Sequence, residues 1–459
     1  MKKTKILCTI GPASASIPVL NRMYKAGMNG VRLNTAFWKT ENSGEIIKNI
    51  REVGDIPILL DLKGPEIRIK VNQTVTLKKG DEIQIGNEKN LEFSYSIYNQ
   101  LIGNDRVLID DGKISMNVTS GDKNHVNLTV DKGGIVENGK GVNIPGKRLI
   151  VPTLSDRDLE ALLIAKKYNV EFIALSFVRG KEDLTNLKGF AYDLQAQIIA
   201  KIENPQGVKN FESILREADG IMIARGDLGI EMELEQIPLI QKRMIQRCNQ
   251  EGKLAIIATE MLESMMNNPI PTRAEVSDVA NAILDGADTL MLSGETAIGH
   301  YPVDVIYMMN KIAGEVERST RTTVKEEEFR TISNTISRSI WQIANTMPLD
   351  KVVTMTRTGY TAKMISRFKL AQPIIVLTPD KVVRNQLELF YGTQSFYFDY
   401  ESEEDRVLAV AHFLYSKEIL NKDDMVLFTA GLRTSRPHSS NLIEIHTIKE
   451  LLEFDQSKK

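Results

Sequence analysis

The stretch QIIAKIENPQGVKNFESILREADGIMIARGD, residues 197–227, decides the fold. It opens on a short apolar run, passes through a helical pattern in VKNFESILREA and closes on a second apolar run, GIMIARGD (220–227). Runs with no polar face read as strands of a parallel sheet covered on both sides. The same unit recurs outward in both directions. TKILCTIG (4–11), GVRLN (30–34), IPILLDLK (56–63) and FIALSFV (172–178) precede it, and LAIIAT (254–259) and TLMLSGET (289–296) follow it. Eight such runs, mostly followed by helical patterns such as DRDLEALLIAKKY, predict an α/β fold closed as a (β/α)8 TIM barrel. A doubly wound open sheet is the alternative, and eight units of this regularity favour the barrel.

One gap interrupts the alternation. Residues 68–147 lack helical periodicity and carry short alternating segments such as QTVTLKKGDEIQIG and RVLIDDGKISMNV, punctuated by Gly, Asn and Asp. They predict a small β-barrel domain inserted after the third strand, at the end where a barrel keeps its active site, and placed to act as a lid. Beyond the charged stretch RSTRTTVKEEEFR (318–330) a new strand and helix pattern begins. The expected organisation is a catalytic barrel over 1–67 and 148–325, the lid over 68–147, and a C-terminal α/β domain over 326–459.

Composition narrows the function. With 58 Lys+Arg against 60 Asp+Glu in 459 residues, the chain has no global attraction for nucleic acid or anionic membrane. No apolar run approaches the ~18 residues of a membrane span. Two cysteines, Cys8 and Cys248, and five scattered histidines leave no zinc-ligand spacing and fit a reducing cytoplasm.

The polar residues are placed less evenly. Arg32/Asn34, Asp61/Lys63, Lys201/Glu203 and Arg225/Asp227 stand two apart at the same end of four runs. Thr259 closes the seventh run, and Ser293 and Glu295 close the eighth. Residues i and i+2 of a strand share a face, so in a barrel these groups converge on the C-terminal mouth. Glu203 and Asp227 are hard oxygen ligands suited to Mg2+ or Mn2+. Lys201, Arg32 and Arg68 add positive charge. Such a set serves phosphoryl transfer, where catalysis is mostly positioning and charge neutralisation. It serves equally to hold a developing enolate.

Several longer stretches carry a family resemblance. KIENPQGVKNFESILREADGIMIARGDLGIE (201–231) and ATEMLESMMNNPIPTRAEVSDVANAILDGADTLMLSGETAIGHYP (258–302) resemble the metal-binding core of the pyruvate kinases. TKILCTIGPAS (4–14), DLKGPEIR (61–68), IDDGKI (109–114) and KGVNIPG (140–146) match the same family in the same order. The resemblance implies transfer of the phosphoryl group of phosphoenolpyruvate to ADP, giving pyruvate and ATP after protonation of the enolate. It implies that Glu203 and Asp227 bind the divalent metal and that Lys201 faces the transferring phosphoryl group. It places Thr259, with Ser293 and Glu295 near it, on the proton-delivery side. It gives Arg32 and Arg68 phosphate contacts, and Lys140 the nucleotide phosphates. It sets the substrate carboxylate against the backbone at Ala224, Arg225, Gly226 and Asp227, at a helix N-terminus. A homotetramer is implied by the resemblance alone.

The family's K+ site maps onto Asn34, Asp61 and the Leu62 carbonyl, with Glu66 the acidic residue of K+-requiring members. The fourth ligand, a serine, is replaced by Ala36. Phe37 and Trp38 stand where a nucleotide-side histidine and a glycine are usual, and Glu260 stands for a glutamine. In the C-terminal domain, the loop of Thr356, Arg357, Thr358, Gly359 and Thr361 matches the site of a sugar-phosphate effector. Its partner loop GLRTSRPHSSN (431–441) has a single glycine, with Arg433 and Arg436, and Lys369-Leu370 replaces an Arg-Pro. Two rival readings share the same metal residues: nucleotide-independent enolate chemistry such as oxaloacetate decarboxylation, and a catalytically inert metabolite sensor.

Overall fold

The computed structural model describes residues 2–37, 40–64, 66–87, 89–110, 112–147, 149–319, 331–400, 405–431 and 441–458. Trp38, Arg433, Arg436 and the charged stretch at 320–330 therefore lie outside the described residues. Eight parallel strands close into a barrel in sequential order. They are β1 (Lys5–Thr9), β2 (Gly30–Asn34), β3 (Ile58–Leu62), β4 (Phe172–Leu175), β5 (Gln197–Ile202), β6 (Gly220–Ala224), β7 (Leu254–Ala258) and β8 (Thr289–Leu292). All eight are the apolar runs read from the sequence.

Two sets of side chains leave these strands. Ile6, Cys8, Ile198, Ala200, Ile221 and Ile223 pack outward in the cluster shared with the surrounding helices. Leu7, Leu59, Phe172, Ala174, Ile199, Met222, Ile256 and Met291 belong to a second cluster. That cluster continues into Ile340, Ala362, Leu387 and Leu389 of the C-terminal domain. Strand period two puts Thr9, Asp61, Ser176, Lys201 and Ser293 on this second face, one step further along each strand. The face is thus apolar at the end joined to the C-terminal domain and polar at the other.

The C-terminal domain holds that apolar end. A Cβ at Gly30 would come within 2.8 Å of Leu389 Cδ2, so glycine lets that leucine pack directly on the strand. Buried polar ties fix the junction. Lys5 Nζ donates to the Thr393 carbonyl at 2.5 Å, Thr289 Oγ1 to the Leu389 carbonyl at 2.7 Å, and Lys369 Nζ to Asp288 Oδ1 at 2.5 Å. Lys369, at one of the two altered Arg-Pro positions, is thus part of the junction. The domain's sheet runs in the order Thr393–Tyr397, Ile374–Thr378, Lys351–Met355, Met425–Ala430, Leu442–Thr447, with only the last strand antiparallel.

Lys363 lies at this junction, its amine 5.2 Å from the centre of the Phe390 ring. Burial pushes its pKa down to about 8, with nearby Asp219 opposing. The folded pKa is below the unfolded one, so the unfolded chain binds more protons between the two values. Lys363→Met is therefore expected to stabilise the protein at pH 7. The advantage should shrink as pH rises from about 8 to about 10.5, which paired thermal melts across that window would check.

The insert leaves after β3 and wraps one apolar core of Ile85, Val107, Met116, Val126 and Leu128 among others. Its hydrogen bonds divide between a five-stranded antiparallel sheet and two two-stranded pairs. Its first strand is Ile69–Val71 and its last Val142–Asn143.

Candidate active site

The inward polar residues of β1 to β5 meet in one buried ion network. Lys201 Nζ lies 2.9 Å from Glu203 Oε1 and 3.2 Å from Asp61 Oδ1, and donates to Ser176 Oγ at 2.7 Å. An ammonium has three hydrogens, so its geometry is fully specified. Arg32 approaches Asp61 Oδ2 through Nε at 2.7 Å and Nη2 at 2.6 Å, and donates from Nη1 to Thr9 Oγ1 at 3.1 Å. Asp61 and Glu203 are each only 2 % exposed.

Such charges remain ionised only if they compensate one another. Burial alone would raise the Asp61 carboxyl, but Lys201 and Arg32 outweigh it and hold the pKa below its ordinary value. Burial alone would lower Lys201, but Asp61 and Glu203 outweigh it and hold the ammonium above its ordinary value. Glu203 is the member left short. Burial, with Asp227 and Asp61 nearby, pushes it up to about 7 against the pull of Lys201.

Glu203 follows β5 directly, and its Oε2 accepts the Phe177 backbone N–H at 2.7 Å. Phe177 takes a left-handed φ of 55° to present that N–H. Arg225 and Asp227 are not a strand pair as the spacing suggested. β6 ends at Ala224, and both residues open the helix Arg225–Glu231. A helical i, i+2 pair points apart, so Asp227 and Arg225 separate. The charge of Asp227 is felt at Glu203 and Lys201. The Arg225 side chain instead reaches Asp278 and the Thr259 and Glu260 carbonyls.

Among the described residues no three His, Cys, Asp or Glu side chains gather as a metal cage. Two carboxylates, one of them with its ionised form disfavoured by burial, are what the chain offers a hard divalent ion. That suits a site completed by substrate oxygens and water.

Thr259 Oγ1 accepts the Gly226 N–H at 2.8 Å and donates to the Ala258 carbonyl at 2.6 Å. Ser293 Oγ is buried with no hydrogen-bond partner among the described residues. The Glu295 carboxylate instead accepts two backbone N–H groups, from Ser293 at 2.7 Å and Leu262 at 3.2 Å, and so braces two loops. The Gly226 N–H expected to face a substrate carboxylate is the one that Thr259 takes.

The cation-side residues are committed elsewhere. Asn34 Oδ1 accepts the Ala36 N–H at 3.0 Å, and Leu62 O accepts from Ser176 Oγ at 2.8 Å. Both Asp61 oxygens lie against Arg32 and Lys201. Ala36 adds no oxygen, and the Phe37 side chain points out, 84 % exposed. Of the four positions read for a K+ site, Ala36 alone brings no side-chain or carbonyl oxygen to the set. The nucleotide-side cations are also engaged. Arg68 Nη2 sits 2.6 Å from Glu66 Oε2, and Lys140 Nζ lies 3.2 Å from Asp110 Oδ1 and 3.3 Å from Glu137 Oε2. Lid and barrel touch where Asn143 Nδ2 donates to Glu231 Oε1 at 2.9 Å, beside a cleft lined by Glu66, Phe177, Arg179, Asp227 and Glu231.

The effector-matching loop joins the strand Lys351–Met355 to the helix Tyr360–Ser366. Gly359 takes φ 78° to make that turn, while Thr356 and Thr361 are buried. Sequence reasoning missed Ser176, Thr9 and Asp278. Ser176 had a signal: it lies two residues after inward-facing Ala174, in register with the other site positions. Asp278 had none, because it comes from a helix on the outside of the barrel.

Comparison with known proteins agrees along nearly the whole chain. Residues 1–306 match the family described as pyruvate kinase, barrel domain, and residues 334–446 the one described as pyruvate kinase, alpha/beta domain. A pyruvate kinase of Geobacillus stearothermophilus is 40 % identical over 98 % of this chain and 81 % of its own. One of Corynebacterium efficiens is 38 % identical over 98 % of each. The crystal structure of a pyruvate kinase from Cryptosporidium parvum superposes with TM-score 0.90 at 32 % identity, covering 97 % of this chain and 96 % of that one.

Proposed function

Since the chain belongs to the pyruvate kinase family and is a phosphotransferase of that family, we propose that it moves the phosphoryl group of phosphoenolpyruvate to ADP with the residues gathered at the barrel mouth. The observation that carries this assignment of roles is the buried network in which Lys201 is held by Asp61, Glu203 and Ser176.

Lys201 and Arg32 face the phosphoryl group and balance the charge on its oxygens as the P–O bond to the enol oxygen breaks. Glu203 and Asp227 hold Mg2+ or Mn2+, which when bound supplies Lewis-acid polarisation of substrate oxygens. The backbone around Ala224–Asp227 is assigned to the substrate carboxylate, which would compete with Thr259 Oγ1 for the Gly226 N–H. Arg68 and Lys140 turn from Glu66, Asp110 and Glu137 to the nucleotide phosphates when ADP binds. Thr259, with unpartnered Ser293 close in sequence to the brace of Glu295, relays a proton to the enolate carbon, giving pyruvate. A homotetramer in a reducing cytoplasm is consistent with the family and with two buried, unpaired cysteines. The sugar-phosphate effector, read onto Thr356, Arg357, Thr358, Gly359 and Thr361, belongs to the same proposal.

The monovalent cation is where this chain departs. Arg32 and Lys201 already neutralise Asp61, so turnover is expected without K+. Steady-state pyruvate formation from phosphoenolpyruvate, ADP and Mg2+, scanned with K+, Na+ and no monovalent cation, tests the reading. Comparable rates in all three support it, and no turnover in any salt with either divalent metal rejects the assignment. Ala36→Ser, which restores a hydroxyl oxygen beside Asn34, should raise K+ activation several-fold over that of the parent.

A further inference from the structure

Thr259 and Glu260 are two consecutive non-glycine residues in left-handed conformation, at φ 67° and 55°. A β-branched threonine there is strained, and such strain persists only where surrounding contacts enforce it. The turn has a purpose. It folds the chain back after β7 so that Thr259 Oγ1 meets the Gly226 N–H at 2.8 Å.

Arg225 supplies the enforcing contact. Its Nη2 donates to the Thr259 carbonyl at 2.8 Å and to the Glu260 carbonyl at 3.2 Å, bridging the two strained residues. Its Nη1 donates to Asp278 Oδ1 at 2.8 Å and to Gln241 Oε1 at 3.4 Å, and lies 2.7 Å from Asp278 Oδ2. The guanidinium fork is planar and rigid, so pinning one nitrogen on a carboxylate fixes the other against the carbonyls. Asp278 comes from the helix Arg273–Leu284. It faces a groove shared with Gln241, Lys242, Glu260 and Asp285 on the outside of the barrel.

We propose that Arg225 and Asp278 form a positioning clamp that holds the Thr259–Glu260 turn left-handed and thereby sets the Thr259 hydroxyl for proton delivery. The clamp rests on the role given to Thr259 above. Neither residue touches substrate through its side chain; both act through Thr259. The clamp also ties a surface groove to the proton-delivery side of the site.

Arg225→Gln and Asp278→Asn in the full chain are expected to lower kcat by about 100-fold, the cost of a misplaced reacting group. KM for phosphoenolpyruvate should move less than about threefold, because the phosphoryl and metal side is untouched. Deuterium uptake into the pyruvate methyl group should fall in parallel. Glycine accepts positive φ without strain, so adding Glu260→Gly to Arg225→Gln should restore kcat by about tenfold or more. Amide hydrogen exchange over residues 259–262 should speed up in the single variants and slow again in the double. That readout needs no turnover, so an inactive parent would reject the proposed function while exchange still decides the clamp. Unchanged kcat and exchange in folded Arg225→Gln and Asp278→Asn would overturn the clamp, as would a double variant with no recovery.

Discussion

Lys201→Ala is expected to lower kcat by at least about 1,000-fold, since it removes one of the two cations assigned to the developing charge. The chain should nonetheless fold. Removing one member of a buried ion network usually costs heavily, because a charge is left uncompensated. Here each partner has a way out. Asp61 keeps the two short contacts of Arg32, at 2.7 and 2.6 Å. Glu203, already pushed up to about 7 with Lys201 present, takes a proton once that counter-charge is gone. Kinetics paired with a thermal melt check both halves. A variant that melts with the parent and has lost turnover supports the role, and one retaining kcat within about tenfold removes Lys201 from the chemistry.

Glu203→Gln is expected to be as severe for a different reason. The amide oxygen can still accept the Phe177 N–H, now 2.7 Å from Glu203 Oε2, so the β4 loop should stay in place. What disappears is the anion that a divalent metal needs. Turnover at millimolar Mg2+ should drop at least about 1,000-fold. Metal that binds only the folded state stabilises it by mass action. MgCl2 or MnCl2 should therefore raise the melting temperature of the parent and not of the variant. A variant still stabilised by the metal would place the metal ligands elsewhere.

The effects expected at Arg225 and Asp278 are smaller but more informative about design. They concern residues whose distance from the reaction is bridged by backbone strain. A site can be tuned from the outside of a barrel because its residues sit on loops after the strands, and contacts from the surrounding helices hold those loops.

Much of the architecture was legible because buried parallel strands leave a plain mark. With both faces covered, β5 and β6 need apolar residues at every position, and the chain shows them as uninterrupted runs. The residues of the site were legible for the same geometric reason. Period two carries Ile199 into Lys201, and Leu59 into Asp61, so the place where an inward position turns polar marks the mouth. The extrapolation failed once the strand ended. Arg225 and Asp227 kept their spacing but lay on a helix, which sends Asp227 towards Glu203 and Lys201 and Arg225 to the outer helices.

By itself the sequence determined the eight-stranded barrel, the insert after β3, the separate C-terminal domain, and the family with its lysine and carboxylates. These depend on local periodicity and on residue types at short spacing. Only the tertiary structure decided how charge is shared. Arg32 and Lys201 are spent on Asp61, Ser176 orients the lysine, and Asn34 turns to Ala36. Arg225 reaches across to Asp278, 53 positions along the chain. Those partners are set by which strands and helices come together, and hydrogen bonds and ion pairs act over a few ångströms of space regardless of distance in sequence.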